Sequence, residues 1–171
     1  DAFTELGTNV VVGHIAGGVG AGFAAFRQAT KVAGVSPRGS AAFGSISGQL
    51  KGADFNTPRD GAVFWTGFLQ GNQTRAMAWA KANGKFTIEM TPGGRWLDGL
   101  GLFGPKSPVS RAEAQAIWKQ ASEKFAEGAN GAVTAFTRGA APNSGSMFFG
   151  TELPKLRLNK KVNPKINYRG Y

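Results

Sequence analysis

The segment IWKQASEKFAE, at residues 117–127, lies in the most strongly patterned part of the chain. The sequence SRAE just upstream is a capping box, and it predicts a helix from Ser110 to about residue 127. Small and apolar residues recur there every three or four positions, which gives one face that can pack against a sheet. Trp118 and Ser122 are one turn apart at the edge of that face. We expect Trp118 to project into a cleft, although a core position is equally open.

Strand and helix patterns alternate on both sides of this helix. Short apolar runs predict strands at residues 62–65, 85–90, 132–136 and 148–153. A helix capped by Asn72 is predicted to run to about residue 83, before Gly84. This order implies parallel strands joined by right-handed crossovers. We therefore predict an α+β or α/β fold, with a helical, Gly-rich part at residues 1–60 and a small, mainly parallel sheet flanked by helices at residues 61–171.

The run VVVGHIAGGVGAGFAAF, at residues 10–26, is apolar and rich in glycine. A packed helix or a Gly-rich hairpin is one interpretation, and a segment that contacts a membrane is the other. The run also contains a partial dinucleotide fingerprint. No acidic residue between Glu5 and Asp54 is available to hold a ribose, which argues against a Rossmann site.

Composition limits the chemistry. The chain has 171 residues, a net charge of +10, no cysteine and a single histidine, His14. A zinc site of the usual kinds and a mechanism with two histidines are therefore excluded, and we expect no metal site. The charge favours a polyanion, an acidic protein or a phosphorylated substrate as partner. The chain begins at Asp1 with no signal peptide or initiator methionine, which suggests a piece of a longer protein.

Candidate site residues lie near the ends of the predicted strands. Trp65 ends a strand and is followed by Thr66 and Gly67, whose hydroxyl and backbone suit a phosphate or a ribose. Two further carboxylates, Glu89 and Glu152, lie in apolar contexts, where a charge is costly unless it is used or paired. A salt bridge to a neighbouring Lys or Arg is the alternative role for each carboxylate.

Four segments together resemble the ADP-ribosyl cyclase / NAD glycohydrolase family. They are Phe64-Trp65-Thr66-Gly67, Thr87-Ile88-Glu89-Met90-Thr91 with Asp98, Trp118-x-x-x-Ser122-x-x-Phe125-Ala126-Glu127, and Phe149-Gly150-Thr151-Glu152. The resemblance covers about half of the chain and implies an ADP-ribosyl cyclase-like fold. It also implies a substrate, NAD, and no separate cofactor.

The resemblance further implies a role for each residue. Glu152 would be the catalytic carboxylate, and Trp65 and Trp118 would flank the substrate. Glu89 and Asp98 would hold the nicotinamide end. Finally, Ser122 and the turn Trp65-Thr66-Gly67 would contact the ribose or a phosphate of the substrate. The implied reaction releases nicotinamide and ADP-ribose from NAD, with cyclisation as a variant.

The animal enzymes of this family are rich in disulfides, whereas this chain has no cysteine. A basic, Gly-rich domain of this kind looks like the C-terminal toxin domain of a secreted bacterial protein for contact-dependent growth inhibition. Such a domain would act in the cytosol of the target bacterium and would be neutralised by an acidic cognate immunity protein. We expect no stable nucleic acid partner.

Two other functions remain as alternatives. The six basic residues after Glu152, together with Tyr168 and Tyr171, are compatible with a nuclease or a nucleic-acid-binding toxin. A non-enzymatic interaction module would depend on the apolar run at residues 10–26. The basic tail itself is a solvated edge in the simplest interpretation, and a contact for an acidic partner in the other.

Overall fold

The structure is a computed structural model that describes residues 40–140, 142 and 145–169. The predictions made for residues 10–26 and for His14 lie outside these residues. Over the described part of the chain, no helix combines the length and the apolar character needed to cross a membrane.

Five α-helices and three short strands form the described fold, together with one 3-10 turn and one π-helix. In chain order they are α1 (Ala41–Gly52), β1 (Val63–Trp65), α2 (Asn72–Ala82), the 3-10 turn Ile88–Met90, α3 (Pro92–Gly99), α4 (Arg111–Gly128), β2 (Thr134–Phe136), the π-helix Phe148–Glu152, α5 (Leu153–Leu158) and β3 (Asn167–Arg169). The strands form one parallel sheet in the order β1-β2-β3. The predicted small parallel sheet flanked by helices is confirmed.

Helix α4 is the central helix of the described core. The predicted capping box is present, because Ser110 Oγ accepts from the Glu113 backbone N at 3.1 Å and the Glu113 carboxylate accepts from the Ser110 backbone N at 2.8 Å. Its apolar face packs on the sheet, where the rings of Phe125 and Phe64 are 4.8 Å apart. Local sequence therefore fixes both the start of this helix and its buried face.

The strand predicted at residues 85–90 is wrong. Only an isolated bridge joins Phe86 to Ala62, and the chain then turns into the 3-10 helix that contains Glu89. The following Thr-Pro-Gly-Gly begins a helix, because Thr91 Oγ1 accepts from the Gly94 backbone N at 3.0 Å and Pro92 occupies the first helical position. The apolar run is thus a buried turn, which pattern alone does not distinguish from a strand.

The strand predicted at residues 148–153 is also wrong. This run is a π-helix that continues into α5, and Ser146 Oγ accepts from the Phe149 backbone N at its start. The third strand lies instead in the basic tail, where Asn167–Arg169 pairs with β2. Asn72 is the first residue of α2 and not its cap, since its side chain is used elsewhere.

Candidate active site

A hydrogen bond joins two of the predicted site residues. Trp65, at the end of β1, donates from its indole Nε1 to Glu89 Oε1 at 2.9 Å. Both side chains are almost completely buried, with 1% and 0% of their surface exposed. Gln73 Nε2 lies 3.4 Å from the same carboxylate oxygen. Gln73 is not among the predicted site residues, although its amide lies on the same face of α2 as the small residues Ala76 and Ala80, which is a signal visible in the sequence.

Close packing at a glycine fixes the position of Glu89. Thr91 Oγ1 donates to the Ile88 carbonyl at 2.6 Å and caps α3, so the turn and the helix start share one residue. A side chain at Gly94 would have its Cβ only 1.8 Å from that Ile88 carbonyl oxygen. Only glycine lets α3 approach the backbone beside Glu89 this closely.

Helix α4 contributes Trp118 and Ser122, which lie on the face that also carries Phe125. Trp118 and Ser122 are both 0% exposed, so neither borders an open cleft in this structure. Among the described residues, Ser122 Oγ has no hydrogen-bond partner. A buried hydroxyl without a hydrogen-bond partner is costly, because it loses its bonds to water without replacement.

Glu152 is the last residue of the π-helix and is 0% exposed. Two contacts hold the helix that follows it against the end of α4. Lys155 Nζ donates to Glu127 Oε1 at 2.8 Å, and the pKa of Lys155 is raised mainly by this hydrogen bond. Asn159 Nδ2 donates to the Ala126 carbonyl at 3.1 Å and to two further carbonyls at the end of α4. The backbone after Glu152 is therefore tied to the helix that carries Trp118.

One aromatic cluster brings the three elements together. The ring of Phe64 is 4.8 Å from that of Phe125 and 6.0 Å from that of Phe148. Each of these phenylalanines is a near neighbour of a predicted site residue: Phe64 precedes Trp65, Phe125 follows Ser122 by one turn, and Phe148 precedes Glu152 by four residues. The sheet, α4 and the π-helix thus pack together through these three rings. Trp65 follows Phe64 in β1, so its side chain lies on the opposite face of the sheet from this cluster.

The turn after β1 is shaped by Asn72. Its side-chain amide donates to the Thr66 carbonyl at 2.6 Å and to the Arg138 carbonyl at 2.9 Å, so it joins the loops that follow β1 and β2. Gly67 has φ of +89°, a conformation that favours glycine. Thr66 is buried, and Asp98 lies half-buried near the end of α3.

Two cavities formed by described residues lie near the sheet, but the predicted site residues do not line them. One, of 740 Å³, is lined by Thr137, Arg138, Gly139, Ala140, Pro142, Phe149 and Tyr168. The other, of 580 Å³, lies beside β3 and Trp79. The two indoles and the carboxylates of Glu89 and Glu152 are instead covered, with at most 1% of their surface exposed. No cluster of His, Cys, Asp and Glu suited to a metal occurs within residues 40–140, 142 and 145–169.

Comparisons with protein-family models and with curated proteins give no match. Solved structures do match. A structure of CD38, from a study of its catalytic mechanism and a covalent enzyme-substrate complex, is 23% identical over 82% of this chain, with a TM-score of 0.55. Apo porcine CD38 is 26% identical over 74% of this chain, with a TM-score of 0.50. Aplysia cyclase with substrate NGD and product cGDPR is 20% identical over 94% of this chain and 78% of its own, with a TM-score of 0.49.

The likeness is one of architecture over most of the described chain. This chain spans only 61% and 59% of the lengths of the two CD38 chains. The described chain combines helices with a small three-stranded parallel sheet, and its structural neighbours have ADP-ribosyl cyclase folds. The chain therefore has the fold of the ADP-ribosyl cyclases and CD38.

Proposed function

We propose that this chain is a NAD glycohydrolase that cleaves the bond between nicotinamide and ribose. Enzymes of the ADP-ribosyl cyclase family take NAD as substrate without a cofactor, and the structural neighbours are NAD-processing enzymes. The observation that carries the proposal is the buried hydrogen bond between Trp65 and Glu89. The resemblance to the ADP-ribosyl cyclase family implies that both residues lie beside the substrate. The hydrogen bond joins them although 24 positions separate them in sequence.

The residue types suit the reaction. The glycosidic C–N bond breaks with its electron pair going to the nicotinamide nitrogen, which leaves as a neutral molecule and needs no general acid. The ribose carbon becomes an oxocarbenium ion, and the Glu152 carboxylate stabilises it in a pocket of low dielectric constant. Water then attacks this carbon and loses a proton to solvent, which gives ADP-ribose. Glu89 and Glu152 are both 0% exposed in this structure, so contact with NAD requires neighbouring side chains to move aside.

The indole rings of Trp65 and Trp118 would border the nicotinamide ring. An electron-rich aromatic face attracts a cationic heterocycle, and this attraction weakens when the ring leaves without its charge. Glu89, held by the Trp65 indole N–H, would orient the carboxamide end of the substrate. These contacts position the leaving group, and Glu152 acts on the sugar.

The test is nicotinamide release from NAD, followed by chromatography. We expect release by the wild-type chain and a loss of at least about a hundredfold in kcat for Glu152→Gln. Glu123→Gln is the matched control, since Glu123 lies partly exposed on α4 and should retain full activity. No release by the wild-type chain, or full release by Glu152→Gln, would contradict the proposal. The same chromatogram separates ADP-ribose from a cyclic product.

A biological role follows from the same proposal. The chain would be the toxin domain of a secreted contact-dependent system, and it would deplete NAD in the cytosol of the target bacterium. Its net charge of +10 suits an acidic immunity protein as partner. Co-expression of the chain with and without a candidate immunity protein, with cellular NAD as the readout, tests this role. Unchanged NAD in cells that express the chain alone would contradict it.

A further inference from the structure

The loops that follow β1 and β2 form one structural unit. The Asn72 amide donates to a backbone carbonyl in each loop, at Thr66 and at Arg138. A Cβ on Gly67 would lie 3.1 Å from the Ala140 Cβ, which shows how closely the two loops pack. Loops at the carboxyl ends of parallel strands are the usual ligand-binding edge of such a sheet.

The 740 Å³ cavity lies at this edge. The loop after β2 forms one wall, and two aromatic side chains, Phe149 and Tyr168, contribute to the rest. Tyr168 is 46% exposed, so its ring is available to a flat heterocycle. Among the described residues that line the cavity there is no carboxylate, and its cation is Arg138. The volume falls within the range of about 300–1,000 Å³ that is typical of small-molecule sites.

Arg138 differs from two of the three cations around the second cavity, Lys85 and Arg169. Lys85 donates to the Asp60 carbonyl there, and the Arg169 guanidinium stacks 4.4 Å from the centre of the Trp79 ring. These cations are therefore already engaged within the protein. The side chain of Arg138 is exposed, and within the described part of the chain it has neither an ion pair nor a ring contact.

We propose that this cavity binds the ADP half of the dinucleotide, with Arg138 paired to its diphosphate. This inference rests on the proposed function. Phe149, in the cavity wall, lies three residues before Glu152 on the same π-helix, so a ligand here is adjacent to the element that carries the carboxylate. An arginine matches two phosphate oxygens through parallel N–H donors, and Phe149 and Tyr168 offer faces to the adenine. Arg138 is then a binding and specificity residue.

A comparison of two substrates that contain the same reacting bond distinguishes an effect on phosphate binding from an effect on the chemical step. NAD carries the diphosphate, and nicotinamide riboside carries none. For Arg138→Ala we expect KM for NAD to rise about tenfold, with kcat within about twofold of wild type. With nicotinamide riboside, kcat/KM should stay within about twofold, because there is no phosphate contact to lose. Arg138→Lys should recover part of the loss, since it keeps the charge without the two-pronged geometry.

Arg157→Ala is the matched control, because it removes one exposed positive charge from α5. It should leave KM for NAD unchanged. Calorimetric titration with ADP gives a readout that does not require turnover, and Arg138→Ala should bind ADP about tenfold more weakly than wild type.

The outcomes distinguish this inference from the proposed function. If the wild-type chain releases nicotinamide and Arg138→Ala behaves like Arg157→Ala, the cavity proposal is wrong and the glycohydrolase stands. Equal losses with NAD and nicotinamide riboside would also overturn it, since they would indicate damage to the fold. If the wild-type chain hydrolyses neither substrate, the proposed function fails, and ADP binding still tests whether Arg138 holds a diphosphate.

Discussion

Replacement of Gly94 by alanine should destabilise the protein and disturb the candidate site together. The ideal Cβ at this position lies 1.8 Å from the Ile88 carbonyl oxygen, 2.7 Å from its carbon and 3.0 Å from the Glu89 Cα. All three are backbone atoms, so no side-chain rotation relieves the overlap. The turn that carries Glu89 must move away from α3, at a cost of about 3 kcal/mol or more. For a domain of this size, this corresponds to a fall in Tm of about 6–12 °C.

Gly99 provides the control within the same helix. A Cβ there meets no heavy atom within 4 Å, so Gly99→Ala tests the change from glycine to alanine without the overlap. It should raise stability by up to about 1 kcal/mol, because alanine has less conformational freedom to lose on folding. Thermal and urea unfolding followed by circular dichroism measure both variants.

The activity of the Gly94 variant gives the second readout. Assayed well below its Tm, Gly94→Ala should release nicotinamide more slowly than Gly99→Ala, because displacement of the turn moves Glu89 away from the Trp65 indole. A Gly94→Ala protein with the wild-type Tm would refute the packing argument. A protein with a lowered Tm and full activity would show that the position of Glu89 does not matter to the reaction.

Two further predictions concern buried carboxyl groups. Trp65→Phe removes the indole N–H that donates to Glu89. It should lower the free energy of unfolding, measured in urea, by about 1–3 kcal/mol, and it should raise KM for NAD in steady-state kinetics. Wild-type values in both measurements would oppose a role for the hydrogen bond. The pKa of Glu113 lies below its ordinary value, first because the Ser40 backbone N–H donates to it. The contribution of Glu113 to stability is therefore present above the ordinary pKa and is lost as the pH falls through the lowered pKa. Glu113→Gln should be less stable than wild type at neutral pH, and it should lose less stability than wild type when the pH falls to about 3. Equal acid sensitivity of the two proteins would count against this role of Glu113.

The central helix and the sheet could be predicted from sequence because their signals are local. The capping box at Ser110 and Glu113 specifies a helix start through two hydrogen bonds within four residues. The apolar runs at residues 62–65 and 132–136 contain the strands Val63–Trp65 and Thr134–Phe136, which are buried throughout, as expected for a parallel sheet under helices. Neither inference needed long-range information.

The errors occur where distant contacts determine the conformation. Residues 85–90 read as a strand, but Thr91 and Gly94 draw the end of that run into a turn against α3. Strand β3 lies in a tail whose basic character suggested a solvated edge, because its three residues are exposed and carry no apolar pattern. Its pairing with β2 depends on the position of the sheet and cannot be predicted from the tail sequence alone.

The position of Arg138 near the predicted phosphate-binding turn is also determined by distant contacts. The predicted ribose or phosphate contacts are Ser122 and the turn Trp65-Thr66-Gly67, and none of them lies after β2. Parallel pairing sets the two strand ends side by side, and Asn72 then joins their loops through two carbonyls. A cation 71 positions after Gly67 in the sequence thus lies on the loop packed against it, which only the sheet topology brings about.

Because Glu152 is fully buried, the stability and the activity of a Glu152 variant together distinguish a structural role from a chemical role for this side chain. A carboxylate with 0% exposure is costly to bury even when it is hydrogen-bonded, and an amide of the same shape costs less. Replacement by glutamine removes this desolvation cost and keeps the size and shape of the side chain. If the carboxylate is retained because it stabilises the ribosyl cation, Glu152→Gln should lose nicotinamide release and keep or raise its Tm. A variant that lost both activity and Tm would show that the carboxylate holds the π-helix in place, and the assignment of Glu152 as the catalytic group would then have no support from its activity loss.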